Sequence, residues 1–168
     1  MSEEPIVNRV AQSALINIDL AELPPKYRVV ELDLVDFLEE GLVLREAEFR
    51  TQLKSINRAL FDNAYVRVFC STQAIIPAWA YQLVAVELSD CAEKVLVAER
   101  QGFNLVYWID HINSLDMSPY KDGLVLLKGC GDVSIPQAAY TLLAQRLKPL
   151  VRKLMFGEAC SFIPLHKK

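Results

Sequence analysis

The segment Cys70-Ser-Thr-Gln-Ala-Ile-Ile-Pro-Ala-Trp-Ala-Tyr81 decides the predicted fold, because its pattern recurs later in the chain. A second copy is Cys130-Gly-Asp-Val-Ser-Ile-Pro-Gln-Ala-Ala-Tyr140, and a shorter one is Cys160-Ser-Phe-Ile-Pro164. Each copy runs from a cysteine through a short linker to Ile-Pro. Proline suits the first turn of a helix, where an N–H has no partner within the helix, so each Ile-Pro predicts a helix start.

The repeat extends beyond these segments. Residues 76–99 align without gaps on residues 135–158 at a constant offset of 59. The nine identical pairs among the 24 aligned positions are Ile76/Ile135, Pro77/Pro136, Ala80/Ala139, Tyr81/Tyr140, Leu83/Leu142, Ala85/Ala144, Leu88/Leu147, Lys94/Lys153 and Glu99/Glu158. Apolar, β-rich runs precede and follow each helix. The alignment therefore predicts a duplicated strand–loop–helix–strand unit.

Strands that alternate with helices indicate an α/β fold with a mostly parallel sheet. Right-handed crossovers place helices on both faces, which predicts a three-layer sandwich. Before the repeats, residues 15–20 and 28–34 alternate apolar and polar side chains, and residues 45–56 have helical periodicity. We predict an N-terminal β-hairpin and helix addition, the second segment being the hairpin partner or an edge strand.

The composition limits the partners and the location. We expect one domain over residues 1–168, with the N-terminal addition in 1–63 and the repeated units in 64–168. The formal charge of −3 argues against nucleic acid and anionic membranes as main partners, whereas 52% hydrophobic residues favour a homo-oligomer. The first residues resemble no signal peptide, and the most apolar window, 74–88, is too short to span a bilayer. We therefore expect a cytoplasmic protein.

Three cysteines have matching contexts. Cys70 and Cys130 each follow a predicted strand and precede a helix, and Cys160 follows the last parallel strand. The carboxyl ends of parallel strands share one edge of a sheet, and ligands bind there. The sequence therefore predicts three thiols at one edge of one sheet. Cys91 falls at the opposite edge, where we expect a core residue.

Three converging thiolates and one further donor suit zinc or an iron–sulfur cluster. Asp132 and His166 are candidate further ligands, with Ser71 and Ser161 also nearby in sequence. His166 lies six residues after Cys160, so it could join the site if the tail folds back. Free cysteines are also often simply buried, and that interpretation stays open for each of them.

Three functional hypotheses follow from the cysteines. The leading one is a non-enzymatic metal or iron–sulfur binding protein that uses Cys70, Cys130 and Cys160. The alternatives are a thiol or persulfide transfer enzyme with one nucleophilic cysteine, and a structural or adaptor protein without a cofactor. The sequence shows no Ser/His/Asp order, no carboxylate pair and no phosphate-binding loop, so we assign no catalytic residue and lean away from an enzyme.

Several segments carry a resemblance to a known family. They are Phe-Cys-Ser-Thr-Gln-Ala-Ile-Ile-Pro-Ala-Trp-Ala-Tyr at 69–81, Lys-Gly-Cys-Gly-Asp at 128–132, Met-Phe-Gly-Glu-Ala-Cys-Ser-Phe-Ile-Pro at 155–164 and Ile-Val-Asn-Arg-Val-Ala-Gln-Ser at 6–13. Over nearly the whole chain the sequence resembles uncharacterised Bacteroidota proteins grouped as domain of unknown function 2480. The resemblance implies a bacterial cytosolic protein, supplies no catalytic residues, and implies iron–sulfur assembly proteins as candidate partners.

Overall fold

The computed structural model describes residues 15–129, 135–158 and 160–168. The strands are β1 (Leu15–Asp19), β2 (Arg28–Asp33), β3 (Ala64–Phe69), β4 (Lys94–Val97), β5 (Leu124–Lys128), β6 (Lys153–Glu158) and β7 (Ser161–Lys167). The α-helices are α1 (Glu46–Ser55), α2 (Ala78–Leu88), α3 (Arg100–Ser114) and α4 (Gln137–Leu147). Short 3-10 helices lie at Leu34–Phe37, Arg58–Phe61 and Ser118–Tyr120. The predicted α/β class is confirmed.

The chain divides into two compact units, with boundaries between Pro25 and Lys26 and between Tyr107 and Trp108. Each unit has its own mostly parallel sheet and its own apolar core. The expectation of one shared sheet is therefore wrong, because each copy of the repeat lies in a separate sheet. That the two units form a single domain stays a prediction.

The unit of residues 26–107 contains a parallel sheet in the order β2-β3-β4. Val66 and Val68 of β3 are fully buried against side chains of α1 and α2. Successive side chains of a strand point to opposite faces, so Tyr65 faces the other way. There its ring packs against the ring of Tyr107 in α3, with centroids 5.2 Å apart. The sheet lies between helices, as predicted for a three-layer sandwich.

The other unit contains a sheet in the order β1-β5-β6-β7, in which only β7 runs antiparallel to its neighbour. Its core joins Val125 and Leu127 of β5 to Leu143 and Leu147 of α4. The guanidinium of Arg146 donates hydrogen bonds to two backbone carbonyls, that of Ile112 near the end of α3 and that of Leu115 just beyond it. The bond to Leu115 is 3.1 Å long. These bonds fix α4 relative to the end of α3.

The duplication is confirmed by the strand pairing. The segments β3–α2–β4 and β5–α4–β6 each join two neighbouring parallel strands through one helix. A further correspondence was not predicted: β2 pairs with β3 as β1 pairs with β5. β1 and β2 both end at an aspartate, Asp19 and Asp33, and each aspartate is followed by a fully buried leucine, Leu20 and Leu34. The repeated unit therefore includes a third strand.

The predicted N-terminal hairpin is wrong, because β1 and β2 lie in different sheets. Alternating polarity identifies a strand but does not identify its neighbour. Each of these strands pairs in parallel with the first strand of one repeat. The connection between them contains Pro24-Pro25, which is not a tight hairpin turn.

The third Ile-Pro does not start a helix. Ile163 and Pro164 lie within β7, an antiparallel edge strand that the sequence pattern did not predict. Proline is tolerated on an edge strand because its missing N–H need not weaken the ladder. No helix in the described ranges is both long and apolar enough to span a membrane.

Candidate functional site

A cleft of about 270 Å³ lies at the carboxyl edge of the three-stranded sheet, where β3 and β4 end. Its lining residues are Val68, Phe69, Cys70, Thr72, Ala74, Tyr81, Val97, Ala98 and Glu99. All of them belong to the unit of residues 26–107. The cleft has the position that ligands occupy in open parallel α/β sheets, and it contains a thiol.

Cys70 is half-buried and immediately follows β3. Its Sγ lies 3.4 Å from the hydroxyl oxygen of Thr72. The Thr72 hydroxyl also donates to the carbonyl of Gly41 at 3.2 Å. A hydroxyl has one hydrogen, so the thiol is the donor to Thr72 while the bond to Gly41 is made. If Cys70 ionises, the same hydroxyl can turn and donate to the sulfur.

Asp33, the last residue of β2, fixes the start of the loop after Cys70. Its Oδ1 accepts hydrogen bonds from the N–H groups of Val35 and Ser71, both at 3.0 Å. Burial raises the pKa of Asp33, but the hydrogen bonds from Ser71 and Val35 lower it by more than burial raises it. The pKa therefore lies below its ordinary value. The ionised carboxylate therefore holds the residue next to the thiol in place.

Tyr81 lies in the first turns of α2, half-buried, and lines the same cleft as Cys70. Burial raises the pKa of Tyr81, and negative charge on Cys70 raises it further. The phenol therefore stays protonated at neutral pH and can donate a hydrogen bond. No described residue makes a hydrogen bond to its hydroxyl.

A buried cation supports the wall of the cleft. Arg67, only 5% exposed, donates to Glu31 at 3.0 Å and to the carbonyl of Ala98 at 3.3 Å, and its guanidinium lies 3.8 Å from the ring centroid of Phe69. Arg100 also binds Glu31 at 3.0 Å. The hydrogen bond from Arg67 is the main reason that the pKa of Glu31 is lowered. Since Phe69 and Ala98 line the cleft, this network fixes its shape.

Sequence reasoning found Cys70 but missed Arg67, Glu31, Asp33 and Thr72. The charge of Arg67 inside an otherwise apolar strand was a usable signal, because a buried arginine needs an acidic partner and β2 contains Glu31. The register places Glu31 directly beside Arg67, and that register is not visible in the sequence. The contact from Thr72 to Gly41 spans 31 residues and depends on how two loops fold.

The predicted cysteine set is not at one edge of one sheet. Cys70 follows β3 of the three-stranded sheet, whereas Cys160 is exposed and follows β6 of the four-stranded sheet. Cys130 and Asp132 lie outside the described residues. Cys91 is partly buried against the core beside α2, and its Sγ donates to the carbonyl of Leu88 at 3.5 Å. Cys91 therefore packs against the core, where a core residue was expected, but it is only partly buried.

The tail does not fold back toward Cys160. His166 pairs with Leu154 near one end of β7, while Cys160 precedes the other end. An extended strand advances about 3.3 Å per residue, so the six steps between the two residues span roughly 20 Å. Cys160 and His166 therefore cannot bind the same ion.

The described residues contain no metal-binding cluster. Among them, no group of three or more His, Cys, Asp or Glu side chains is arranged to hold a metal. The imidazole Nε2 of His166 is buried and has no hydrogen-bond partner in the same part of the chain. A zinc or iron–sulfur site therefore needs at least one ligand from residues that the structure does not describe, and it stays a prediction.

The sequence model of the family described as "Protein of unknown function (DUF2480)" matches residues 4–168. The chain therefore belongs to this family, and the resemblance to domain of unknown function 2480 is confirmed. No curated protein and no solved structure matches the chain.

Proposed function

We propose that this member of the family is a sulfur-transfer protein in which Cys70 is the nucleophile. The observation that supports this function is the half-buried Cys70 thiol in a cleft that Thr72 and Tyr81 also line, with the Thr72 hydroxyl beside the sulfur. Thiolate is the nucleophilic form of cysteine, and hydroxyl donors stabilise it. The cytoplasmic location also remains part of the proposal, because a reducing compartment keeps such a thiol free.

The proposed step is the transfer of one sulfur atom. The Cys70 thiolate attacks the terminal sulfur of a small persulfide, R–S–SH. The bond between the two donor sulfurs breaks, its electron pair leaves with R–S⁻, and Cys70–S–SH forms. An acceptor thiolate then attacks the terminal sulfur of this persulfide and releases the Cys70 thiolate. Both steps balance without an added oxidant or reductant.

Sulfur transfer fits this unit better than an internal disulfide. Residues 26–107 are all described, and their other cysteine is Cys91. The carbonyl of Cys91 accepts from the N–H of Asn63 at 2.9 Å, so it lies beside the residue that precedes β3. Cys70 follows the opposite end of β3, roughly 20 Å away by strand length. Cys91 is therefore too distant to resolve a bond formed at Cys70.

The test exposes the full chain, a Cys70→Ser variant and a Cys160→Ser variant to inorganic polysulfide. Mass spectrometry then measures added sulfur on each cysteine, and sulfide release by dithiothreitol measures transfer. We expect sulfur on Cys70, and loss of transfer in Cys70→Ser but not in Cys160→Ser. Sulfur added to Cys70 no faster than to Cys91, or full transfer by Cys70→Ser, would overturn the proposal.

A metal or iron–sulfur site is the second proposal, with iron–sulfur assembly proteins as its partners. It is favoured by the exposed Cys160 at the end of β6, the strand next to β5, since Cys130 follows β5 in the sequence. Elemental analysis and a visible spectrum of protein purified without oxygen test it. Metal near one equivalent that is lost in Cys160→Ser and kept in Cys70→Ser would support it. Metal-free protein would contradict it.

Self-association is also proposed, through the edge strand β7. Phe162, Ile163 and Leu165 on this strand are 42%, 67% and 51% exposed. Adjacent exposed apolar side chains favour a protein interface, here with a second copy. Sedimentation velocity would show an oligomer for the wild type and a smaller species for Ile163→Lys. A monomer at all concentrations would contradict this part of the proposal.

A further inference from the structure

The Tyr81 hydroxyl is a hydrogen-bond donor that the sulfur-transfer step has not yet used. Four residues with polar side chains line the cleft: Cys70, Thr72, Tyr81 and Glu99. Apart from the Cys70 thiol itself, the two hydroxyl groups are the neutral donors among them. The Thr72 hydroxyl already donates to Gly41 and lies against the Cys70 sulfur. No described residue makes a hydrogen bond to the Tyr81 hydroxyl.

The fold places Tyr81 and Cys70 on opposite sides of one short connection. Cys70 follows β3, and the loop from it leads to Pro77, after which α2 begins. Tyr81 is in the second turn of that helix, and both residues pack against the same apolar cluster. The two side chains therefore share one partly desolvated wall of the cleft, where a hydrogen bond is stronger than in water.

We propose that Tyr81 is a catalytic residue that donates its hydroxyl hydrogen to the thiolate leaving the donor persulfide. This inference rests on the proposed function of Cys70. When the donor S–S bond breaks, the electron pair moves to the leaving sulfur, which accepts the hydrogen bond from the phenol. The phenol keeps its proton, and the product leaves as R–S⁻. Its raised pKa keeps the phenol neutral before the step.

The value of such a donor depends on the leaving group. A strongly basic alkyl thiolate gains much from a hydrogen bond or a proton, whereas a weakly basic aryl thiolate gains little. We expect Tyr81→Phe to slow attack on an alkyl disulfide about tenfold or more and attack on an aryl disulfide less than about threefold. A phenylalanine of nearly the same shape preserves the packing of the helix.

The experiment measures the two reactions at Cys70 in the full chain by mass spectrometry. In each, the Cys70 thiolate forms Cys70–S–S–R and releases R–S⁻, with either cystamine or dithiobis(nitrobenzoate) as the probe. The variants are Tyr81→Phe and Tyr140→Phe, since Tyr140 is the counterpart of Tyr81 in the second copy of the repeat. The ratio of the two rates is taken within one preparation, so a loss of folded protein cancels.

We expect the ratio of alkyl to aryl rates to fall in Tyr81→Phe and to match the wild type in Tyr140→Phe. Equal slowing of both probes, or no slowing, in Tyr81→Phe would overturn the role of Tyr81. The polysulfide test on the wild type separates this failure from a failure of the proposed function. If Cys70 takes up sulfur there, only the Tyr81 assignment is lost. If Cys70 takes up none, the sulfur-transfer proposal fails as well.

Discussion

The hydroxyl oxygen of Thr72 lies 3.4 Å from the sulfur of Cys70, in a loop that also reaches the carbonyl of Gly41. The single hydroxyl hydrogen therefore has two alternative acceptors. It binds Gly41 when Cys70 is a thiol, and it is free to bind the sulfur when Cys70 is a thiolate. The protonation state of Cys70 is thereby coupled to the contact between the Thr72 loop and the Gly41 loop.

Thr72→Val removes this donor while keeping the branched shape of the side chain. We expect the rate of alkylation of Cys70 by iodoacetamide at pH 7 to fall about threefold to tenfold, because the thiolate loses a charge-assisted hydrogen bond on an exposed loop. Thr72→Ser keeps the hydroxyl and should react like the wild type. Equal rates in all three proteins would show that the contact does not affect the sulfur.

The repeat was predictable because its signals are local. A β-rich run, an Ile-Pro and an apolar helix face occur in the same order twice, and each needs only a few neighbouring residues. The neighbours of β1 and β2 were not predictable, since pairing with β5 and β3 is a contact between distant segments. The same reason explains why β7 was missed. Its exposed apolar side chains lack the alternation that marks a half-buried strand.

The candidate site was predictable only in its outline. The position of Cys70 at a strand end followed from the motif, and it fixes the edge of the sheet where the cleft lies. The groups that shape the cleft come from elsewhere: Glu31 from β2, Ala98 from after β4, and Gly41 from a distant loop. Cys70 and Cys160 do not share one sheet edge, because the strands that precede them belong to different sheets.

Asp33→Asn tests the carboxylate that holds the loop. The pKa of Asp33 is lower in the folded protein than its ordinary value of 3.8, so its contribution to stability is complete above that value. The contribution is lost as the pH falls through the lower folded-state value. We expect the variant to unfold more easily at pH 7 by about 1 kcal/mol, with the difference shrinking in acid.

Urea unfolding at several pH values measures this difference. Asp36→Asn is the matched control, since Asp36 is exposed and lies only three residues along the chain. Its unfolding free energy should match the wild type across the series. A gap between Asp33→Asn and the wild type that stays constant down to strongly acidic pH would show that the charge of Asp33 is not the cause.

Glu31→Ala tests the buried cation behind the cleft. The side chain of Arg67 is 7% exposed and would lose its carboxylate. Breaking a buried pair costs several kcal/mol, but Glu31 itself is 38% exposed, so we expect a loss of about 2 kcal/mol in urea unfolding. Arg100→Ala removes the other cation on the same carboxylate. It should cost less than about 0.5 kcal/mol, because that side chain is 78% exposed. Similar losses in both variants would contradict the assigned role of Arg67.

His166→Leu tests whether this imidazole is a ligand or a half-buried group with one unsatisfied nitrogen. Its buried Nε2 has no hydrogen-bond partner in the described part of the chain, and such an atom costs about 1 kcal/mol or more. We expect the variant to be as stable as the wild type or more stable by about 1 kcal/mol in urea. Any metal present in the purified wild type should be retained. Loss of metal in this variant would show that His166 is a ligand.

Gly157→Ala tests the pairing of the edge strand β7. Gly157 in β6 has φ of +129°, and an added Cβ would lie 2.6 Å from the carbonyl oxygen of Ser161, which is the first residue of β7. An alanine there is strained in its backbone and also collides with the neighbouring strand. We expect a loss of about 2 kcal/mol or more in urea unfolding, with faster hydrogen exchange in β7.

Gly102→Ala is the control for this substitution. Gly102 lies in α3, and an added Cβ would meet the Cβ of Ala98 at 3.7 Å, an ordinary contact. Alanine is the better helix former, so this variant should gain up to about 0.5 kcal/mol. A Gly157→Ala protein with unchanged exchange in β7 would show that the strand does not depend on this close approach. Because β7 carries the exposed apolar residues proposed for self-association, its loosening should also weaken any oligomer seen by sedimentation.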